Sequence, residues 1–182
     1  MHLNHGIHLA YCTNVHRGGD WAETFASLKQ DVMRVRAHVS PEAPYAIGLR
    51  LGADAAQELS DGGRLLEFQR WLEKNNSYVF TINGFPYGQF HGTRVKEQVY
   101  CPDWSTPERL DYTNLLFDLL SELLPDGIDG SVSTLPGSFK EFIGLEGVPD
   151  ALYGNLEACC RHVEKLSART GQDLHLGLEP EP

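Results

Sequence analysis

The residues of this sequence best suited to chemistry crowd into one stretch. Residues 78–104, YVFTINGFPYGQFHGTRVKEQVYCPDW, begin as a run of aromatic and β-branched residues and then meet Asn83-Gly84, where turn residues take over. The remainder of the stretch is long and irregular but rich in aromatics, which argues for an ordered functional loop rather than disorder. His91 carries the side chain suited to proton transfer near neutral pH, unless it is simply a surface histidine. Lys96 and Arg94 suit a phosphate or carboxylate, Arg94 through a bidentate fork, or else form a solvated pair. His91 and Lys96 are the catalytic candidates of the loop. Tyr87, Phe90, Tyr100 and Trp104 could line an apolar or sugar-stacking wall, or pack as a small core of the loop itself.

Other candidates sit where strands should end. The amide of Asn83 could fix a substrate hydroxyl, although Asn-Gly also simply makes a turn. Asn14 and His16 end the first apolar run in the same way, and His16 reads more readily as structural. Arg50 lies at the end of the apolar run YAIGLRLG, where an unpaired charge would be costly. It should face a polar mouth or a carboxylate, with Glu179 one candidate. Glu179 itself, in LGLEPEP, is either a metal ligand or a capping carboxylate at a strand tip. His2, His5 and His8 look like a metal cluster, but their spacing suits no shared face in an extended segment, and a frayed terminus is the simpler reading.

The elements that must position these groups alternate. Residues 7–13, 45–52, 78–82, 130–135 and 173–178 read as strands. Between the first two, Asp20-Trp21-Ala22-Glu23 is a capping box that opens an amphipathic helix to about His38. Asp54 should cap a second helical region, broken at Gly62-Gly63 and resuming through Leu65, Phe68 and Leu72. Pro107 sits at the first position of a third helix, which runs to Pro125. Asp150 opens a fourth, striped by Leu152, Leu156, Cys159, Val163 and Leu166 and ended by Gly171. Five strands and four helices in strict alternation predict an α/β fold with a parallel sheet. No GxGxxG or GxxxxGK[ST] occurs to support a nucleotide site. Polar strand tips favour a TIM barrel over a doubly wound sheet, and five strands are too few to close one. Residues 1–182 are therefore expected to be a single (β/α) barrel domain, cut after strand five.

With 182 residues, 41% of them apolar, the chain can bury a full-sized core. A net charge of −10 excludes a basic nucleic-acid footprint and disfavours an anionic membrane surface, but leaves room for a local anion pocket. No apolar run is long enough for a membrane span, and residues 1–11 lack the features of a signal peptide. Cys12, Cys101, Cys159 and Cys160 have no CxxC spacing and read as reduced thiols of a cytoplasmic protein, one of the adjacent pair facing the core.

Four segments, HLAYCTNVHRGGDW (8–21), NGFPYGQFHGTRVKEQVYCPDW (83–104), STLPGSFK (133–140) and LGLEPEP (176–182), resemble the EboE-type metabolite traffic proteins. These are a branch of the xylose-isomerase-like TIM barrels, whose wider superfamily includes sugar isomerases, ketose epimerases and sugar-phosphate isomerases. The resemblance implies a small polyhydroxylated substrate, phosphorylated in some members, and a divalent metal (Mg, Mn or Zn) at the C-terminal mouth. It implies that Glu179 is the first metal ligand. The other ligands in that family come from strands six to eight, which this chain lacks, and Glu181 follows too closely to take the family's catalytic glutamate role. Two functions are expected from this resemblance. One is a sugar (phosphate) isomerase or epimerase with His91 and Lys96 as catalytic groups and Asn14, Arg50, Asn83, Tyr87, Arg94 and Trp104 holding substrate. The other is a non-catalytic binding or traffic protein using the same pocket. If the chain ends at Pro182, the exposed edges of a partial barrel further predict a homo-oligomer.

Overall fold

The five apolar runs pair into one all-parallel sheet in the order β1-β2-β3-β4-β5. The structure is a computed structural model that describes residues 1–88, 99–145 and 147–180. The strands are β1 (Ala10–Cys12), β2 (Tyr45–Arg50), β3 (Ser77–Asn83), β4 (Gly130–Thr134) and β5 (Leu174–Leu178). After β1 come α1 (Trp21–Ser27) and α2 (Met33–Val39), joined by a π-helical stretch, Leu28–Val32. After β2 come α3 (Ala53–Leu59) and α4 (Gly62–Lys74). α5 (Pro107–Leu123) follows β3, and α6 (Lys140–Ile143) and α7 (Asp150–Thr170) follow β4. A doubly wound sheet reverses its strand order at a switch point. No reversal occurs among the described strands, so each crossover adds its strand on the same side of the last.

The sheet has two unlike faces, because successive side chains point to opposite sides. Ile82 and Val132 are buried and join Leu116, Phe117 and Leu120 of α5 in the core, as does Val79, which a bulge opposite Ile47 and Gly48 turns to the same side. α5 packs on β3 and β4, and α7 on β5. The opposite face carries Tyr78 beside Ala46 near its N-terminal end and, further along, a mostly small and polar row. Strand register lines up Cys12, Gly48, Thr81, Ser131 and His175 as one row across all five strands. Within that row the Ser131 hydroxyl donates to Thr81 Oγ1 at 2.9 Å.

Local chemistry explains where the elements begin. Asp20 caps α1 by accepting from the Glu23 N–H at 2.8 Å, as its spacing predicts. The return bond lands one residue early: Glu23 accepts from the Gly19 N–H at 2.9 Å. Four expectations are corrected. Asp54 does not cap the second helical region; it lies in the first turn of α3, whose N-cap is Gly52. The break falls at Ser60-Asp61 rather than at the glycine pair, because Asp61 accepts from the N–H groups of Gly63 and Arg64 and so starts α4. The first strand is shorter than residues 7–13, because the chain before it folds back. Leu3 N–H donates to Ile7 O at 2.7 Å and Leu9 N–H to Met1 O at 2.8 Å. This hairpin sets the ring of His2 at a tilt beside His8 and places His8 Nδ1 2.8 Å from the Tyr78 hydroxyl, so the terminal histidines are not a frayed end.

All four cysteines are free thiols, and Cys159 is the buried one of its pair. Burial pushes its thiol from 9.0 up to about 12. The unfolded chain loses that proton at lower pH than the folded one, so the stability it contributes is complete below pH 9.0 and drains away as pH rises toward about 12. Cys159→Ala is expected to flatten the loss of stability with pH across that window. Urea midpoints at pH 8 and at stepwise higher pH check it, and equal slopes for both proteins would refute it.

Candidate functional site

Two residues beyond the small polar row, at the C-terminal strand ends, register places Arg50, Asn83, Ser133 and Gly177 side by side. Glu179 follows just past β5, and its N–H donates to Thr134 O at 2.9 Å. That bond prolongs the ladder by one step and holds a half-buried carboxylate at the sheet edge. Asn83 reaches it: Nδ2 donates to Glu179 Oε1 at 3.4 Å, across the intervening β4. The same amide makes the turn, its Oδ1 accepting from the Phe85 N–H at 2.8 Å. The turn reading of Asn83 therefore holds, and the turn bond fixes the rotamer that aims Nδ2 at the carboxylate. Gly84 allows this close approach. Its N–H donates to Ser133 O at 2.8 Å, and a Cβ there would lie 2.6 Å from Leu116 Cδ1 and 3.0 Å from Ser133 O.

A carboxylate beside an amide and a serine can bind hydroxyl groups. Its fit to a metal is narrower. Mg²⁺ takes six oxygens, and the described residues bring one carboxylate, with the amide oxygen of Asn83 already engaged by Phe85. They do not hold such an ion by themselves. The one group of three close ligand side chains among the described residues is Asp129, Asp173 and His175, all exposed and at the opposite, N-terminal end of β4 and β5.

The remaining candidates take other places. Arg50 is buried, and burial lowers its pKa. Its guanidinium donates to Gly18 O at 2.9 Å and Gly88 O at 2.6 Å, while its N–H donates to Thr13 Oγ1 at 2.8 Å. It thereby ties the loops after β1 and β3 to the end of β2. Asn14 lies in the turn Thr13–Val15, with a buried Oδ1 that no hydrogen bond satisfies. His16 has Nε2 2.9 Å from the Tyr11 hydroxyl and Nδ1 3.9 Å from Asp31, in keeping with a structural role. His91, Arg94 and Lys96 lie outside the described residues.

Two wall candidates take other places. Trp104 is 0% exposed and belongs to the core, so it anchors its loop instead of presenting a stacking face. Tyr87 does not join Asn83 and Glu179. Its ring packs edge-on against Tyr112 at 4.9 Å, in a cleft with Asp54, Gln57, Glu108 and Asp111 between α3 and α5.

Sequence reasoning missed Arg109 and Asp103. Arg109 is fully buried in the first turn of α5, donating from Nε to Pro102 O and from Nη1 to Gly84 O, each at 2.8 Å. Burial draws its pKa down to about 10. Asp103 accepts from the Ser105 N–H at 2.9 Å and from the Ser138 hydroxyl, which locks the loop after β3 to the loop after β4. The spacing Arg109, Tyr112, Thr113, Leu116 is a buried helical stripe and could have revealed the arginine.

No family model, curated protein or solved structure matches the chain.

Proposed function

We propose that the C-terminal strand ends form the binding site for a small polyhydroxylated metabolite on a xylose-isomerase-like (β/α) barrel. The observation that carries this reading is the Asn83–Glu179 contact, which joins the ends of β3 and β5 across Ser133. Sequential parallel strands support the barrel, since that is how its βα units accumulate around the axis.

In this reading Glu179 and Asn83 bind substrate hydroxyls, and Arg50 fixes the loops around them. A divalent cation, where bound, would take Glu179 as one ligand and draw the others from the substrate or from chain outside the described residues; it would polarise a carbonyl or hydroxyl. Proton transfer falls to His91 and Lys96, giving isomerase or epimerase chemistry. A second reading is binding without turnover. It is favoured by the engagement of both buried arginines with backbone carbonyls, which makes them builders of the site.

Isothermal titration against a panel of sugars and sugar phosphates, with and without Mg²⁺ or Mn²⁺, tests the site. Asn83→Ala is expected to weaken the best binder about 3- to 10-fold, in line with one lost hydrogen bond. Glu179→Gln is expected to abolish any gain from the cation. Unchanged affinity in both variants would sink the reading. Product formed from a bound sugar would decide for the enzyme over the carrier.

A further inference from the structure

The loops after β3 and β4 carry a line of aromatic rings that the polar site does not use. Phe85 and Tyr100 have ring centroids 5.4 Å apart, Tyr100 stacks on Phe139 at 4.9 Å, and Phe139 meets Phe142 edge-on at 5.2 Å. Phe85 and Tyr100 lean on the core, whereas Phe139 and Phe142 are not among the residues packed into it. Phe142 is 43% exposed. Ring contact alone brings this line from the protein interior out to solvent.

The line is held at its inner end and in its middle. At its inner end Phe85 is bonded through its N–H to Asn83, the residue that touches Glu179. In its middle, two cross-loop bonds set Tyr100 against Phe139. Trp104 N–H donates to Gly137 O at 3.0 Å, and the Ser138 hydroxyl donates to buried Asp103. Burying Asp103 and satisfying it through a serine of another loop is a costly way to place two loops unless their relative position matters. The rings it positions meet one another at spacings that aromatic groups prefer, and Phe142 is left open to solvent at the outer end.

We propose that Phe85, Tyr100, Phe139 and Phe142 form a stacking subsite for an aryl or other flat apolar group carried by the molecule whose polyol end meets Asn83 and Glu179. The ligand class is then a polyol bearing an apolar substituent, in place of a bare sugar. This rests on the strand ends being a small-molecule site. Polar groups at one end of the line would orient the ligand, and the rings would exclude water from its substituent.

The test compares phenyl β-D-glucopyranoside with methyl β-D-glucopyranoside, which share a head group and differ in the substituent. Saturation-transfer NMR titrations on the full chain would give both affinities, alongside the variants Phe142→Ala, exposed enough to leave the fold intact, and Phe139→Leu. The phenyl compound is expected to bind about 5-fold tighter, and each variant to reduce that preference to near unity with the methyl compound unaffected. Equal binding of the two compounds would overturn the subsite and leave the polar site standing. A phenyl preference that survives both variants would place the stacking elsewhere and also overturn it. Binding of neither compound would overturn the subsite together with the polar site. Loss of self-association in sedimentation on Phe142→Ala, with phenyl binding unchanged, would make the line a contact between chains and overturn the proposal.

Discussion

Replacing Arg109 by methionine is expected to cost at least about 2 kcal/mol of stability and to loosen the loop that precedes α5. Methionine keeps much of the volume, so the loss is not a cavity effect. It removes the two bonds to Pro102 O and Gly84 O, both 2.8 Å long, and leaves those carbonyls without their donor. A buried acceptor left unmatched costs about 1–3 kcal/mol, and the backbone supplies two that no side-chain change can remove. Relief works the other way: the guanidinium is fully buried and its pKa is drawn down to about 10, so desolvating it is expensive. The cation is partly offset by Tyr87 and Tyr112, whose rings lie 5.6 and 5.4 Å from the guanidinium carbon. Replacing a whole buried polar cluster with apolar groups can be neutral, but removing one partner is not. Arg109→Lys keeps the charge without the fork and should fall between the two. Urea denaturation gives the stability, and hydrogen exchange at residues 99–104 gives the loop. A methionine variant as stable and as protected as the parent would mean that the arginine is not a clamp.

The strands are legible in the sequence because each is a local apolar run, and a local run needs no knowledge of its neighbours. Their order is not. Sequential pairing from β1 to β5 depends on which crossover lies beside which, information spread over the whole chain. Asn83 and Glu179 are legible as strand tips, and their meeting across β4 is not, since 96 residues separate them. The loop after β4 is marked in the sequence only as far as Pro136-Gly137. Its helix α6 has four residues, too few to show a period, so Phe139 and Phe142 give no signal beyond their type. Arg109 is hidden for a different reason. A charged residue at the start of a helix reads as solvated unless the stripe it shares with Tyr112, Thr113 and Leu116 is noticed. Arg50 stands out as a charge needing polar surroundings, but those surroundings include two loop carbonyls that no sequence pattern marks.

Trp104 separates a wall from an anchor, and its two substitutions should behave very differently. Trp104→Ala is expected to cost about 3–5 kcal/mol, the range for emptying a large buried aromatic site. The indole is 0% exposed, and its backbone is held on both sides: its N–H donates to Gly137 O at 3.0 Å, and its carbonyl accepts from Asn155 Nδ2 at 2.9 Å. Those bonds join the loop after β3 to the loop after β4 and to α7. Losing the side chain therefore frees three segments at once, including the pair that sets Tyr100 against Phe139. Trp104→Phe should cost much less. Indole Nε1 is buried with no hydrogen-bond partner, so the substitution gives up volume and no bond. Had the residue been a sugar-stacking wall, phenylalanine would lower affinity and leave stability alone, and alanine would do the same more strongly. An anchor predicts the reverse order: stability falls steeply with alanine and slightly with phenylalanine, and affinity follows stability only where the loops come loose. Thermal melts of both variants beside a sugar titration distinguish the two, and an alanine variant that melts with the parent would restore the wall.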